Sequence, residues 1–215
     1  MEGGKYRVSK QVHISRGKIT LGSQEIFDSS EDSFSEFSKQ SYQALGLDYP
    51  KFFKMDGLSK MSLLAGEVLG MSSGNWSRER RGLLFANASS SLAFDRKHQF
   101  LLDSEQAASP SVFVYTLPNV CMGEMSIRFG ICGEQCFFVE ENTDLMWMFR
   151  ESLVWLEQGL ADQIWVNWVE QDGEEYSCNS WFVEQNQNEK VIQKLDLLTF
   201  DFADWESAFH KTVQS

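Results

Sequence analysis

Two short, wholly apolar runs, residues 83–86 (LLFA) and 136–139 (CFFV), limit what this chain can fold into. Each comes soon after a glycine and is too short for a helix, which is typical of strands within a sheet. A helical pattern follows the second run, with Leu145, Met148 and Leu156 on one face, Asn142 or Thr143 as possible caps, and Gly159 as its stop. Because strands alternate with helices, the sequence predicts an α/β fold with a mostly parallel sheet.

Local patterns predict the other elements. The predicted elements are a strand at 7–14, a polar surface loop at 28–38, a helix from Asp56 onward, and a hairpin of strands at 163–169 and 176–183. Asp56 is a suitable N-cap for a helix with an apolar face that includes Leu58 and Met61. The pair Asp172-Gly173 is a turn signal between the two hairpin strands. The tail at 190–215 is compatible with a helix and is not assigned a place in the fold.

Composition sets broad limits on location and partners. The chain has 215 residues, 42% of them hydrophobic, which suits one compact domain over residues 1–215. The formal net charge of −12 repels phosphate backbones and argues against general nucleic-acid binding. No apolar run is long enough to span a bilayer, and no secretory signal precedes the first strand, so a cytoplasmic location is expected.

The cysteines raise the question of a metal site. Cys132 and Cys136 form a C-x3-C pair, but a structural zinc ion usually needs four ligands. The three histidines lie far from this pair in the sequence. We therefore expect reduced thiols in a reducing compartment and no metal site.

A spaced set of residues after position 109 matches one enzyme family. The matching positions are Ser109-Pro110, Asn119, Gly123, Ile127, Gly130, Gly133, Leu156, Gly159, Ala161 and Asp162, with Phe53 to Asp56 and Leu58-Ser59 upstream. This register resembles that of the β-ketoacyl synthases and is held without a gap from Ser109 to Gly133. The glycines also have a local role, since Gly130 and Gly133 bracket a turn that needs positive φ or close backbone packing.

The resemblance implies a thiolase-like fold, of which this chain is the N-terminal half. The expected architecture is a five-stranded mixed sheet, mostly parallel, with helices on both faces. In the family a second half of the chain supplies two histidines, or a histidine and an asparagine. None of His13, His98 and His210 stands at those places, and the second half is expected to lie outside this chain. The resemblance implies no cofactor.

The family's nucleophilic cysteine is replaced in this chain. Its position, nine residues after Gly133, holds Asn142, preceded by Glu141. In the family that cysteine lies at a helix N-terminus, where the dipole favours a thiolate. An amide cannot form the acyl thioester, so the resemblance implies that this chain does not catalyse condensation alone.

The replacement itself resembles a known subgroup. Residues 139–142 read V-E-E-N, with the acid and the amide where chain-length factors, the inactive partners of ketosynthases, read V-A-E-Q. Residues 49–56 (YPKFFKMD) and 114–119 (VYTLPN) are similar to those of half-length 3-oxoacyl-carrier-protein synthases and chain-length factors of aryl polyene and flexirubin clusters. The implied function is a non-catalytic subunit that shapes acyl chain elongation in fatty-acid or polyketide biosynthesis.

The family also implies a partner. In thiolase-fold proteins the strand before the nucleophile lies at the sheet edge and pairs with the partner subunit. Here that strand comprises Cys136, Phe137, Phe138, Val139 and Glu140. An exposed apolar edge promotes aggregation unless it is paired. We expect a heterodimer with a full-length β-ketoacyl synthase, or self-association.

Further site residues follow from the same resemblance. Ser111, Val112, Phe113 and Asn119 are candidates for the acyl pocket. Core packing of Val112 and Phe113, and a loop-stabilising role for Asn119, are the alternatives. Lys51 and Lys54 are candidates for contact with an acyl carrier protein, or are ordinary solvated lysines.

Two other functions are compatible with the sequence. One is a stand-alone enzyme with repurposed chemistry, a decarboxylase or hydrolase that uses Glu141, Asn142 or Asp144. The other is an acyl-binding scaffold that kept the fold without the chemistry. The acids Glu140, Glu141 and Asp144 could mark a metal site, but acids in the first turn of a helix are also favoured by its dipole.

Overall fold

The computed structural model describes residues 6–29, 33–72, 76–104, 109–141 and 145–185. The strands are β1 (Tyr6–Ser15), β2 (Lys18–Leu21), β3 (Gln24–Asp28), β4 (Arg81–Asn87), β5 (Gln135–Val139), β6 (Gln163–Asp172) and β7 (Glu175–Gln185). The α-helices are α1 (Phe34–Ala44), α2 (Gly57–Leu69), α3 (Leu92–Asp103), α4 (Pro110–Val114), α5 (Val120–Phe129) and α6 (Met146–Glu157). Short 3-10 turns cover Pro50–Lys54 and Arg78–Arg80. The tail at 190–215 and the proposed caps Asn142 and Thr143 lie outside the described residues.

The strands form one seven-stranded sheet in the order β3-β2-β1-β7-β6-β4-β5. Strand β4 is parallel to β5 and to β6, and the other pairings are antiparallel. The expectation of a five-stranded, mostly parallel sheet is therefore wrong. The added strands β2 and β3 extend β1 as tight hairpins, with Gly17 and Gly22 at positive φ in the turns.

Helices cover both faces of the sheet, as expected. Side chains of β4 alternate between the faces, so Leu83 and Phe85 join one core while Leu84 and Ala86 join the other. The first core includes residues of α1, α2 and α5, and the second is closed by α6. The described residues form a three-layer α/β structure in which β4, next to the edge strand β5, is fully buried.

The capped helix and the hairpin predicted from local patterns are confirmed. The side chain of Asp56 accepts a hydrogen bond from the backbone N–H of Ser59 at 3.1 Å and begins α2. Strands β6 and β7 pair antiparallel up to Asp172 and Glu175, around Gly173 at φ 62°. The predicted loop at 28–38 is wrong in its second half, because Ser33 caps α1 there.

A buried polar cluster ties α2 to the sheet. Asn167 on β6 donates through Nδ2 to the Ser62 hydroxyl at 3.1 Å. Its Oδ1 accepts from the hydroxyl of Ser180 and from the Cys178 thiol, which lies 3.1 Å away. All four side chains are buried, so their hydrogen bonds fix how α2 lies on the strands. Among the described residues, no helix combines the length and the apolar character needed to cross a membrane.

Two glycines of the family-like register allow a matched test of packing. A Cβ at Gly133 would lie 2.2 Å from the carbonyl oxygen of Arg81, whereas one at Gly123 on α5 would meet no atom within 4 Å. We expect Gly133→Ala to lower the free energy of unfolding by roughly 3 kcal/mol, because backbone must move. Gly123→Ala should raise it by about 0.5–1 kcal/mol through helix propensity. Urea unfolding measures both, and equal effects of the two variants would contradict the packing described.

Candidate functional site

Strand β5 lies at one edge of the sheet and, of the described strands, pairs only with β4. Its four apolar side chains are half-buried or exposed, and Val139 is 56% exposed. The Glu134 carbonyl and the Glu140 N–H both bond to β4, at 2.9 Å. Because backbone polar groups alternate between the two sides of a strand, those of Gln135, Phe137 and Val139 point toward the open edge. This edge can accept another strand.

The opposite edge of the sheet differs in character. Strand β3 ends the sheet there, and Lys18 on β2 forms ion pairs with its Glu25 and Asp28, at 3.3 and 2.7 Å. Charges on an edge strand discourage pairing with another chain. Charge thus protects the edge at β3, whereas the described side chains of β5 are mostly apolar.

An exposed apolar surface lies at the same end of the sheet as Val139. It is formed by Phe100 and Leu102 on α3, by Phe113 and Val114 on α4, and by Leu117 just after α4. Helices α3 and α4 pack together, with the rings of His98 and Phe113 5.5 Å apart. Val139 lies opposite Asn87 in the ladder, and α3 begins five residues beyond Asn87 at Leu92. We call these five apolar residues the α3–α4 surface.

The structure separates the predicted acyl-pocket residues. Val112 is buried, at 8% exposed, whereas Phe113 is 58% exposed and belongs to the α3–α4 surface. Ser111 is exposed, with its hydroxyl 2.9 Å from that of Ser109. Asn119 is an exposed residue before α5 whose carbonyl accepts from Met122 N–H at 3.1 Å, and its side chain does not cap the helix. Of these four residues, Phe113 presents the largest free apolar side chain.

The position at which the ketosynthase resemblance predicts a nucleophile follows the edge strand. Glu141 is exposed immediately after β5, and helix α6 begins at Met146. Asn142 and Asp144 lie between them, outside the described residues. Within the described part of the chain, no three His, Cys, Asp or Glu side chains are grouped as metal ligands. Cys132 and Cys136 are free thiols.

Lys51 has a partner that the sequence did not reveal. Its ammonium lies 2.6 Å from the carboxylate of Glu124 on α5, which is buried. The Tyr115 hydroxyl donates to the same carboxylate at 3.1 Å, and burial together with Glu124 raises the pKa of Tyr115. The pair anchors the Pro50–Lys54 turn against α5, while Lys54 is exposed. The sequence also did not reveal a contact between β6 and the segment that follows β4. The Glu170 carboxylate on β6 accepts a hydrogen bond from the hydroxyl of Ser89 at 2.6 Å.

Asp56 is a second buried carboxyl, and its charge contributes to the raised pKa of Tyr115. Burial raises the pKa of its carboxyl from 3.8 to about 6, against the hydrogen bonds from Ser59 that lower it. Its charge in turn helps to raise the pKa of the Cys121 thiol, for which burial is the larger cause. The carboxyl serves the structure as the cap of α2.

Solved ketosynthase assemblies share this fold. A ketosynthase (ApeO) in complex with its chain length factor (ApeC) from Xenorhabdus doucetiae matches with a TM-score of 0.60 and 11% identity, over 86% of this chain and 81% of the matched chain. The ishigamide ketosynthase/chain length factor matches at 0.62 and 14%, over 87% and 64%. A type II polyketide synthase acyl-carrier protein in complex with its hexaketide-bound ketosynthase, AntDE:AntF, matches at 0.59 and 14%, over 85% and 62%.

These matches confirm the prediction of a ketosynthase-like α/β fold. Their identities are low, so the likeness is one of fold. The chain spans less than two thirds of the second and third matched chains, and most of the first. No family model matches the sequence, and no curated protein matches it.

The buried carboxyl of Asp56 makes the stability depend on pH. Its pKa is higher in the folded chain than in the unfolded one, so folding is favoured while it is protonated and loses stability as pH rises from about 4 through about 6. Between pH 4 and pH 7.5 the free energy of unfolding should fall by on the order of 3 kcal/mol because of this carboxyl. We expect Asp56→Asn, which keeps an N-cap oxygen and does not ionise, to lack this decrease. Urea unfolding of both proteins across this range measures it. Parallel pH profiles would contradict a buried, titrating Asp56.

Proposed function

We propose that this chain is a non-catalytic ketosynthase-like subunit that pairs with a full-length β-ketoacyl synthase and shapes acyl chain elongation. The observation that carries the proposal is the open, apolar edge at β5. The shared fold with ketosynthase and chain length factor assemblies supports it. The pathway we propose is cytoplasmic fatty-acid or polyketide synthesis of the aryl polyene type, which includes flexirubin-like pigments.

The sequence at the nucleophile position supports a non-catalytic role. Condensation by this fold requires a thiolate that accepts the acyl group, and Asn142 supplies an amide at that place. None of the four cysteines replaces it by position, since Cys121 and Cys178 are buried and Cys132 and Cys136 precede the end of β5. The chain therefore depends on a synthase for the covalent step.

The edge supports strand pairing with that synthase. Backbone groups of Gln135, Phe137 and Val139 face outward and would bond to a strand added alongside β5. Such pairing covers an apolar edge that is otherwise open to aggregation. The charged edge at β3 lacks this property because Lys18, Glu25 and Asp28 occupy it. We therefore place the partner at β5.

The α3–α4 surface extends this interface at the carboxyl end of β5. We propose that Phe113 lies against the partner and limits the depth of its acyl pocket, with Ser111 and Asn119 alongside. Val112, which is buried, holds α4 in place from within. For the carrier protein, exposed Lys54 is the better candidate, because Lys51 is held by Glu124. An acyl carrier protein would reach the partner near this face.

Co-expression with each full-length β-ketoacyl synthase of the same genome tests the proposal. We expect a stable one-to-one complex by size-exclusion chromatography with light scattering. A stable monomer that forms a complex with none of the synthases would contradict the proposal. Turnover of malonyl-carrier substrates by the isolated chain would instead favour repurposed decarboxylase or hydrolase chemistry, and a homodimer without activity would favour an acyl-binding scaffold.

A proline at Val139 tests the edge itself. Val139→Pro removes an outward N–H without touching the ladder to β4, so the chain should fold and bind the synthase at least roughly tenfold more weakly. Val139→Ala keeps the N–H and should change the dissociation constant by no more than about threefold. Calorimetric titration of the purified partners gives both values. Equal affinities for the two variants would place the interface elsewhere.

A further inference from the structure

A cleft lies at the opposite end of the sheet from the α3–α4 surface. Arg81 and Gln163, the first residues of β4 and β6, are partners in the parallel ladder and form its floor. Arg7, Lys10, Trp76 and Glu184 line its sides, and its volume is about 490 Å³. Three of these side chains are cationic and one is acidic, on a chain whose net charge is −12. The cleft is therefore a local concentration of positive charge.

Among the described residues that line this cleft, the one acid, Glu184, is already neutralised. Glu184 is buried, and its Oε1 accepts from Arg7 Nε at 3.1 Å and Nη2 at 2.9 Å. Its Oε2 accepts from Gln163 Nε2 at 3.0 Å. Arg7 and Glu184 thus cancel each other, and the charges of Arg81 and Lys10 remain.

Arg81 is the unusual member of the cleft. It is only 7% exposed, and its Nη1 donates to the carbonyl of Met71 at 2.8 Å. Among the described residues, its Nε has no hydrogen-bond partner and no carboxylate forms an ion pair with it. Burial lowers the pKa of its guanidinium, which reflects the cost of holding that charge away from water. Buried charges in proteins are normally paired, and the described residues supply no counter-ion for Arg81.

Lys10 supplies the second uncompensated charge. Its ammonium donates to the carbonyl of Leu69 at 2.6 Å, and within the described ranges no carboxylate forms an ion pair with it. The carbonyl Oε1 of Gln163 is buried without a described partner and offers an acceptor on the same floor. Trp76 contributes a flat apolar side chain to the wall.

We propose that this cleft binds a small molecule that carries a phosphate group, with Arg81 and Lys10 as its counter-charges. Two unpaired cations match a phosphate monoester, which carries about −1.5 to −2 at neutral pH, better than a single carboxylate. A guanidinium binds phosphate oxygens through a fork of N–H groups. The cleft is larger than a phosphate ion, so the rest of the ligand would lie against Trp76. This site is separate from the proposed synthase interface and does not depend on it.

Calorimetric titration at fixed ionic strength tests the site with inorganic phosphate, glycerol 3-phosphate and acetate as probes. We expect saturable binding of both phosphates, tighter for the ester, and much weaker binding of acetate. Equal binding of phosphate and its ester would assign the site to the free ion. Binding of acetate as tight as that of phosphate would overturn the choice of ligand, and no saturable binding of either phosphate would overturn the site.

Three variants locate the binding. Arg81→Gln and Lys10→Ala should each weaken phosphate binding about tenfold, through loss of one charge-assisted hydrogen bond. Lys39→Ala is the control, since Lys39 is a lysine of α1 paired with Glu36 at 3.7 Å, outside the cleft. If Arg81→Gln does not fold, the exposed Lys10 still decides the matter. An equal loss in Lys10→Ala and Lys39→Ala would show only general attraction of anions and would overturn the proposal.

Discussion

The two parallel ladders of β4 are the constraint on which the rest of the structure depends. Every residue of this strand is buried, and successive side chains from Leu83 to Ala86 pack alternately into the two hydrophobic cores. Because β6 occupies one side of β4, β5 can pair only on the other, where the sheet ends. The free edge is thus a consequence of the sheet order. The same ladder sets Arg81 and Gln163 side by side at its other end.

Each end of β4 has its own chemistry. At the carboxyl end the chain turns into α3, and the apolar side chains of the α3–α4 surface lie exposed. At the amino end, cationic side chains gather around buried Arg81. The polar cluster around Asn167 holds α2 against the sheet between these ends. We propose that the chain presents the first of these surfaces to a protein partner and the second to a small anion.

Local patterns were enough to predict several elements. The alternation of residues 7–14, the cap at Asp56 and the turn signal Asp172-Gly173 are each followed by the expected strand, helix or hairpin. These features depend on neighbouring residues, so sequence alone exposes them. The resemblance to ketosynthases was visible in the spacing of Gly123, Gly130 and Gly133, and the shared fold agrees with it.

The features that could not be predicted from the sequence depend on contacts between residues far apart in the chain. Strands β2 and β3 are short and their hairpins show only as isolated glycines, and the five-stranded sheet implied by the family resemblance does not include them. Glu124 resembles any surface acid of a helix until the fold brings Lys51 and Tyr115 to its buried carboxylate. The excess of positive charge around Arg81 likewise appears only when the sheet brings residues of β1, β6 and β7 to the same cleft as Arg81 on β4. Pairings of this kind are set by tertiary packing and leave little local trace.

Amide hydrogen exchange along β5, in the free chain and with a co-expressed ketosynthase, tests the pairing of this edge most directly. The amides of Gln135, Phe137 and Val139 face outward, so strand addition should slow their exchange at least about tenfold while β3 at the far edge stays unchanged. Unchanged exchange at β5 in a stable complex, with protection elsewhere, would contradict the edge as the site of pairing.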